Sequence, residues 1–383
     1  MKRIASASLL LLFPLALLAQ EPEEPTPPPI EPEQATPSKE LSYFFVRHKI
    51  VDWDSTALRF AHQLLNSRLL NSNSTGTGLA AFTPDPGGYR VHSAAGVDLG
   101  FSFGGDSRGN LTLGYVTANS GGQSTFQRTT TTSGSGSTAT ALDQVELFEY
   151  DPARMNRYTL GYDHEIYFFD NNAFMAGLGF RIGLVLQHDD ISLDRTAFRQ
   201  GSLSTSSTTF PLTGISELAS LDHTQSSANI LAGLVHRFDI TDAIATDVSV
   251  EYRYGVGIGT HKLKGSTFTT IGSFTLPGEV KEERGFALES TGYAAGIGLA
   301  YRLNDNIAVR VYYSDVSMKV TAIRVISDTA TEQSNALLIG TLSGSTSSLA
   351  NALAVSSLDD QGPIPPPAYD RMRSGGVEFQ ILF

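Results

Sequence analysis

Two histidines and three carboxylates carry the sequence's best claim to chemistry. His188, Asp189 and Asp190 form one cluster, and Asp222 with His223 forms another. An imidazole beside a carboxylate can take a proton from water, while a second carboxylate steadies the charge that results. These five are the candidate catalytic residues if the chain hydrolyses anything. The expectation is nonetheless a non-enzymatic protein, because the clusters belong to no extended motif. The chain has no cysteine, which removes thiol chemistry and cysteine-based metal sites; no metal and no cofactor are expected.

A second set of charges is defined by where it must point. Along many segments apolar residues alternate with polar ones, and the polar side carries Asp98, Asp163, Glu165, Arg181, Arg237, Asp247, Glu251, Arg253, Arg302, Arg310 and Glu378. The clearest case puts Phe180, Ile182, Leu184 and Leu186 opposite Arg181, Gly183 and Gln187. Another puts Val248, Val250, Tyr252, Tyr254 and Val256 opposite Asp247, Ser249, Glu251 and Arg253. A two-residue period sustained over such lengths is what a strand needs with one face in lipid and the other in a wet lumen. Strands of soluble sandwiches are shorter, nearer five or six residues. The fold class is therefore all-β: a transmembrane antiparallel β-barrel of about ten strands, or eight or twelve if an end is misread, with one short N-terminal helix.

The last residues repeat the pattern, with Val377, Phe379, Ile381 and Phe383 on one face and Glu378 and Gln380 on the other. This ending resembles the membrane-insertion signal of Gram-negative outer-membrane β-barrel proteins. The resemblance implies residence in the bacterial outer membrane, lipid contact, and recognition of the final strand by the barrel-assembly machinery. Acidic residues and histidines above a ten-stranded barrel also resemble the omptin proteases, which activate water with such groups. That resemblance covers strand count and residue types only; it would make His188, Asp189, Asp190, Asp222 and His223 a surface hydrolase site.

The domain plan follows from composition. Residues 1–19 read as a signal peptide: Lys2 and Arg3, then the apolar stretch Leu9 to Leu18 interrupted by Pro14, then Ala19. Residues 20–40 form a proline-rich acidic spacer, extended and coreless, able to meet a periplasmic partner. Residues 41–74 form a helical segment, where Leu58, Ala61, Leu65 and Leu69 make a stripe at helical spacing. Residues 75–383 form the barrel. Nine strands are clear, and a tenth is expected at 75–82. Val145 to Tyr150 is expected to extend a neighbouring strand above the membrane.

Short connections fall near 105–108, 170–172, 240–242 and 304–305, and long ones near 120–155, 189–226, 261–286 and 321–369. The long ones, rich in Ser, Thr and Gly at 116–142 and 201–228, read as solvated, poorly ordered extracellular loops. A net charge of −12 argues against a nucleic-acid partner. A passive channel through a mixed-charge lumen and a structural, surface-exposed barrel remain the two leading functions. Helix 54–71 in the lumen would separate them.

Overall fold

The computed structural model describes residues 41–61, 90–105, 107–133, 140–168, 177–205, 208–271, 274–332 and 364–383. Twelve strands run through them: β1 (Tyr43–Asp54), β2 (Arg90–Phe103), β3 (Ser107–Asn119), β4 (Gln123–Ser133), β5 (Thr140–Tyr150), β6 (Arg154–Tyr167), β7 (Leu178–Thr205), β8 (Thr209–Thr241), β9 (Ile244–Ile271), β10 (Phe274–Asn304), β11 (Ile307–Glu332) and β12 (Ala368–Leu382). All pairings are antiparallel. Ten strands close a ring in the order β1-β2-β3-β6-β7-β8-β9-β10-β11-β12, with β12 pairing back onto β1. The remaining two, β4 and β5, form a hairpin outside the ring; β5 pairs with the far end of β7, Arg195–Thr205. Val145 to Tyr150 thus belongs to a strand of its own, β5, and is not a continuation within a neighbouring strand.

The outer wall is apolar because alternation puts every second residue there. Ile182, Leu184, Leu186, Leu234, Val250, Val256, Ile297, Leu299, Val311 and Phe379 are all exposed. A free-standing row of such side chains is stable only against lipid. No helix among the described residues is long and apolar enough to cross a membrane. A spanning strand needs about 9–11 residues. Strands β7 to β11 have 26 to 33. Their upper halves therefore stand well clear of the bilayer, by roughly 40 Å at ~3.3 Å per residue after tilt.

Three further expectations need correction. The segment 41–74 does not begin as a helix: its first part is β1, the strand that closes the ring. Its inner face reads Phe45, Arg47, Lys49, Val51, Trp53, so polar and apolar exchange sides halfway and the alternation is disguised. The tenth strand is thus β1. The segment 75–82 lies outside the described residues, as do 62–71 of the expected helix; the described helix covers 56–61. Finally, the described residues of 189–226 and 261–286 are almost all strand, not loop. Above the membrane both faces of a strand can be polar, and threonine favours the extended backbone. Low hydrophobicity there did not mean disorder.

Candidate functional site

The lumen is the place where the fold gathers polar side chains, and it divides into two storeys. The lower one, nearer the short turns, is a belt of ion pairs. Arg47 of β1 donates to Glu378 of β12 at 2.7 Å, and Lys49 meets Asp98 at 2.5 Å. Arg310 shares Glu378 at 3.1 Å and grips Asp247 with two bonds of 2.8 and 2.7 Å. Arg237 grips Glu165 with two bonds of 2.8 Å, and Arg181 grips Asp163 at 2.8 and 2.9 Å. Arg181 also approaches Glu251, which Arg253 holds from two residues away. Asn110 donates to both Asp163 and Glu165, and the Tyr167 hydroxyl donates to Glu165 at 2.7 Å.

Several of these pairs step over a strand. Arg310 on β11 reaches Asp247 on β9 across Gly298 of β10, where a Cβ would strike the guanidinium. Glycine on the inner face thus makes room for an arginine arm. Two-pronged arginine–carboxylate contacts fix geometry as well as charge. Below the belt, Arg108 donates to Ser102 at 2.8 Å and to the Leu41 carbonyl at 3.2 Å, narrowing the lower mouth. The cavity there, bordered by Tyr43, Asp247, Arg302 and Gln380, has a volume of about 50 Å³. That is room for a few waters at ~10–15 Å³ each.

The upper storey is largely apolar, with one buried ion-pair cluster in which Arg284 meets Glu282 at 3.2 Å and Asp328 at 3.0 Å. After β1 the chain turns inward at Ser55, whose hydroxyl accepts from the Leu58 N–H at 3.2 Å and caps α1 (residues 56–61). Ala57, Leu58, Phe60 and Ala61 are all but fully buried. Leu58 and Ala61 belong to a core with Val51, Trp53, Met155, Ile191, Leu221 and Leu263. Phe60 belongs to a second core, with Phe286, Leu288, Met318 and Val320. Helix and barrel therefore fill the lumen between them. Where the storeys meet, Asp370 accepts from Trp53 Nε1 at 3.1 Å and the Thr56 N–H at 3.3 Å, and pairs with Arg157 at 2.8 Å.

The structure places all eleven expected lumen charges on the inner face. It adds Arg47, Lys49, Arg108, Arg157, Asp189 and Asp370, which alternation alone did not reveal. The five hydrolase candidates do not come together. His188, Asp190 and Asp222 point outward, while Asp189 and His223 point inward. Asp189 is held by Arg157 at 2.6 and 2.8 Å and by Gln187 at 3.1 Å. In loops such residues would be free to converge; on continuous strands, neighbours in sequence must face opposite ways. His223 faces His261, ring centres 6.1 Å apart, at a height where the outer wall carries Asp222 and Lys262 and so stands above the bilayer. Neither ring nitrogen of His223 has a hydrogen-bond partner among the described residues, and burial pushes its pKa down to about 4. No group of three or more metal-binding side chains occurs among the described residues.

No protein-family model matches the chain, and no curated protein matches it. Among solved structures, it is similar to the outer-membrane protease OmpT from Escherichia coli, at 8% identity and a TM-score of 0.36, over 92% of this chain and 99% of that one. It is also similar to Acinetobacter baumannii CarO, at 12% identity and a TM-score of 0.17, over 76% and 96%. A third likeness is to the Ralstonia pickettii toluene transporter TbuX, at 9% identity and a TM-score of 0.18, over 90% of each.

Proposed function

We propose that this chain is a bacterial outer-membrane barrel with a closed lumen, an anchor that carries a tall extracellular sheet to the cell surface. The observation that carries this reading is the double filling of the lumen, an ion-pair belt below and an apolar core around α1 above. A diffusion pore needs a continuous wet path, and both storeys oppose one: the lower by mutual pairing, the upper by excluding water. The surface role falls to the upper parts of β7 to β11 and the β4–β5 hairpin, which project beyond lipid. The role is non-enzymatic in this reading, since the candidate acid and base residues face different sides of the wall.

Single-channel recording in planar bilayers tests it. Folded protein should insert without stable conductance steps at moderate voltage. A steady open state of reproducible conductance would overturn the closed-anchor reading in favour of a passive channel.

A further inference from the structure

Two histidines face each other inside the upper storey. His223 of β8 and His261 of β9 stand directly opposite across the ladder, both pointing inward, at 1% and 0% exposure. The surroundings divide. Ile191 of β7 is in register with His223, and the next inward pair above is Leu221 with Leu263, so that side is apolar. The next inward pair below is Gln225 with Gly259. A Cβ at Gly259 would meet Leu288 Cδ1 at 3.4 Å, the Thr224 carbonyl oxygen at 3.8 Å and His223 Cε1 at 3.9 Å. The glycine therefore leaves a methyl-sized space against the His223 ring. Gln225 Oε1, like both ring nitrogens of His223, is buried with no hydrogen-bond partner among the described residues.

Buried polar atoms are rarely left unpaired, and an ion that they share is one physical reason for a group of them. The spacing suits such an ion. Metal–imidazole bonds are ~2.0–2.1 Å long, so two rings holding one metal between facing nitrogens have centres about 6 Å apart. Here the centres are 6.1 Å apart. The charge suits a cation as well. Beside His261 on β10 lies Arg284, whose partners Glu282 and Asp328 leave that cluster one charge negative.

We propose that His223 and His261 bind one divalent first-row transition-metal ion, copper(II) most tightly. Each imidazole gives one nitrogen; the second nitrogen of His261 stays with its own neighbours, as is usual for a ligating histidine. Water fills the remaining positions, and one such water donates to Gln225 Oε1 across the space that Gly259 leaves. The site does not depend on the lumen being closed, so conductance bears on the earlier reading alone.

Copper analysis and electron paramagnetic resonance of the full chain without an affinity tag test it. The protein is refolded from urea into detergent with copper(II) present, so that burial does not bar entry. The wild type should keep one copper per chain through dialysis and show superhyperfine splitting from two imidazole nitrogens, and zinc(II) should compete. His223→Leu and His261→Leu should each weaken binding by more than about a hundredfold, beyond the loss that removing a supporting neighbour causes. His188→Asn, on the outer face, should bind as the wild type does. Heat-modifiable gel migration identifies the folded variants; His223→Gln, which keeps a neutral polar group, gives the same comparison if the leucine variant does not fold. Folded wild type that keeps no copper would overturn the proposal. So would equal copper binding by folded His223→Leu, which would put the ion on surface histidines.

Discussion

The two storeys of the lumen are solved by opposite chemistry. Below, the interior is filled with arginines and carboxylates whose charges cancel pairwise; above, it is filled mainly with Trp53, Leu58, Phe60, Phe286 and Met155, as in the core of a soluble protein, with the Arg284–Glu282–Asp328 cluster as the charged exception. The two strategies fail differently. A buried ion pair carries a desolvation cost that only its partner offsets, so losing one member leaves the other uncompensated, whereas losing both is far less harmful. An apolar core loses in proportion to the volume removed. The lower storey is thus strongly non-additive and the upper one graded. The division has a geometric reason as well: lipid presses on the lower wall, and pairs that bridge strands pin its register from within, while the upper wall stands in water and can close around a helix.

The largest expected effect breaks a pair. Arg237→Met leaves Glu165, fully buried, with its two-pronged partner gone, and should cost about 3–5 kcal/mol. The double change Arg237→Met with Glu165→Leu should recover most of that loss. Urea unfolding in lipid vesicles, followed by tryptophan fluorescence of the sole Trp53, measures both. Double-mutant loss equal to the sum of two damaging single changes would show that the belt is not a paired network. In the upper storey, Leu58→Ala should cost about 3 kcal/mol with no such rescue by a second deletion nearby, because each cavity adds to the next. A loss below about 1 kcal/mol would mean that α1 is not part of the core.

The comparison also explains what was legible beforehand. In the lower storey the rule of alternation works because the two faces contrast strongly: Arg181 between Phe180 and Ile182, or Glu251 between Val250 and Tyr252, can face only one way. Each of those charges was therefore placed from sequence. Their partners were not, because which arginine meets which carboxylate depends on register and on glycines such as Gly298 that clear the path. In the upper storey the contrast fades. Val51 and Trp53 face inward from a strand whose lower half faces inward with Arg47 and Lys49, so β1 was hidden inside an apparent helical segment. Ser- and Thr-rich stretches of β7 to β9 looked like loops because water on the outside leaves no apolar stripe to detect. The clusters of His188 to Asp190 and of Asp222 with His223 looked like sites for the same reason. Read as coil they could converge; held in strands they are divided by the wall.

The smallest effect sharpens the contrast where a polar group sits in the upper, apolar storey. His223 packs among Leu221, Gln225 and His261 with its pKa pushed by burial from 6.5 to about 4. The folded state therefore refuses a proton that the unfolded chain accepts near 6.5. Between those two values the unfolded state binds more protons, so stability falls as pH drops from about 6.5 to about 4 and is unaffected by this group above that window. The shift caps the loss at about 3 kcal/mol. Replacing the imidazole by an apolar side chain, His223→Leu, should remove that part of the slope while leaving stability at pH 7.5 within about 1 kcal/mol of the wild type. Unfolding midpoints measured every half pH unit for both proteins decide the matter. Parallel curves would mean that the imidazole is hydrated in the folded state, and that the upper storey is wetter than its apolar lining implies.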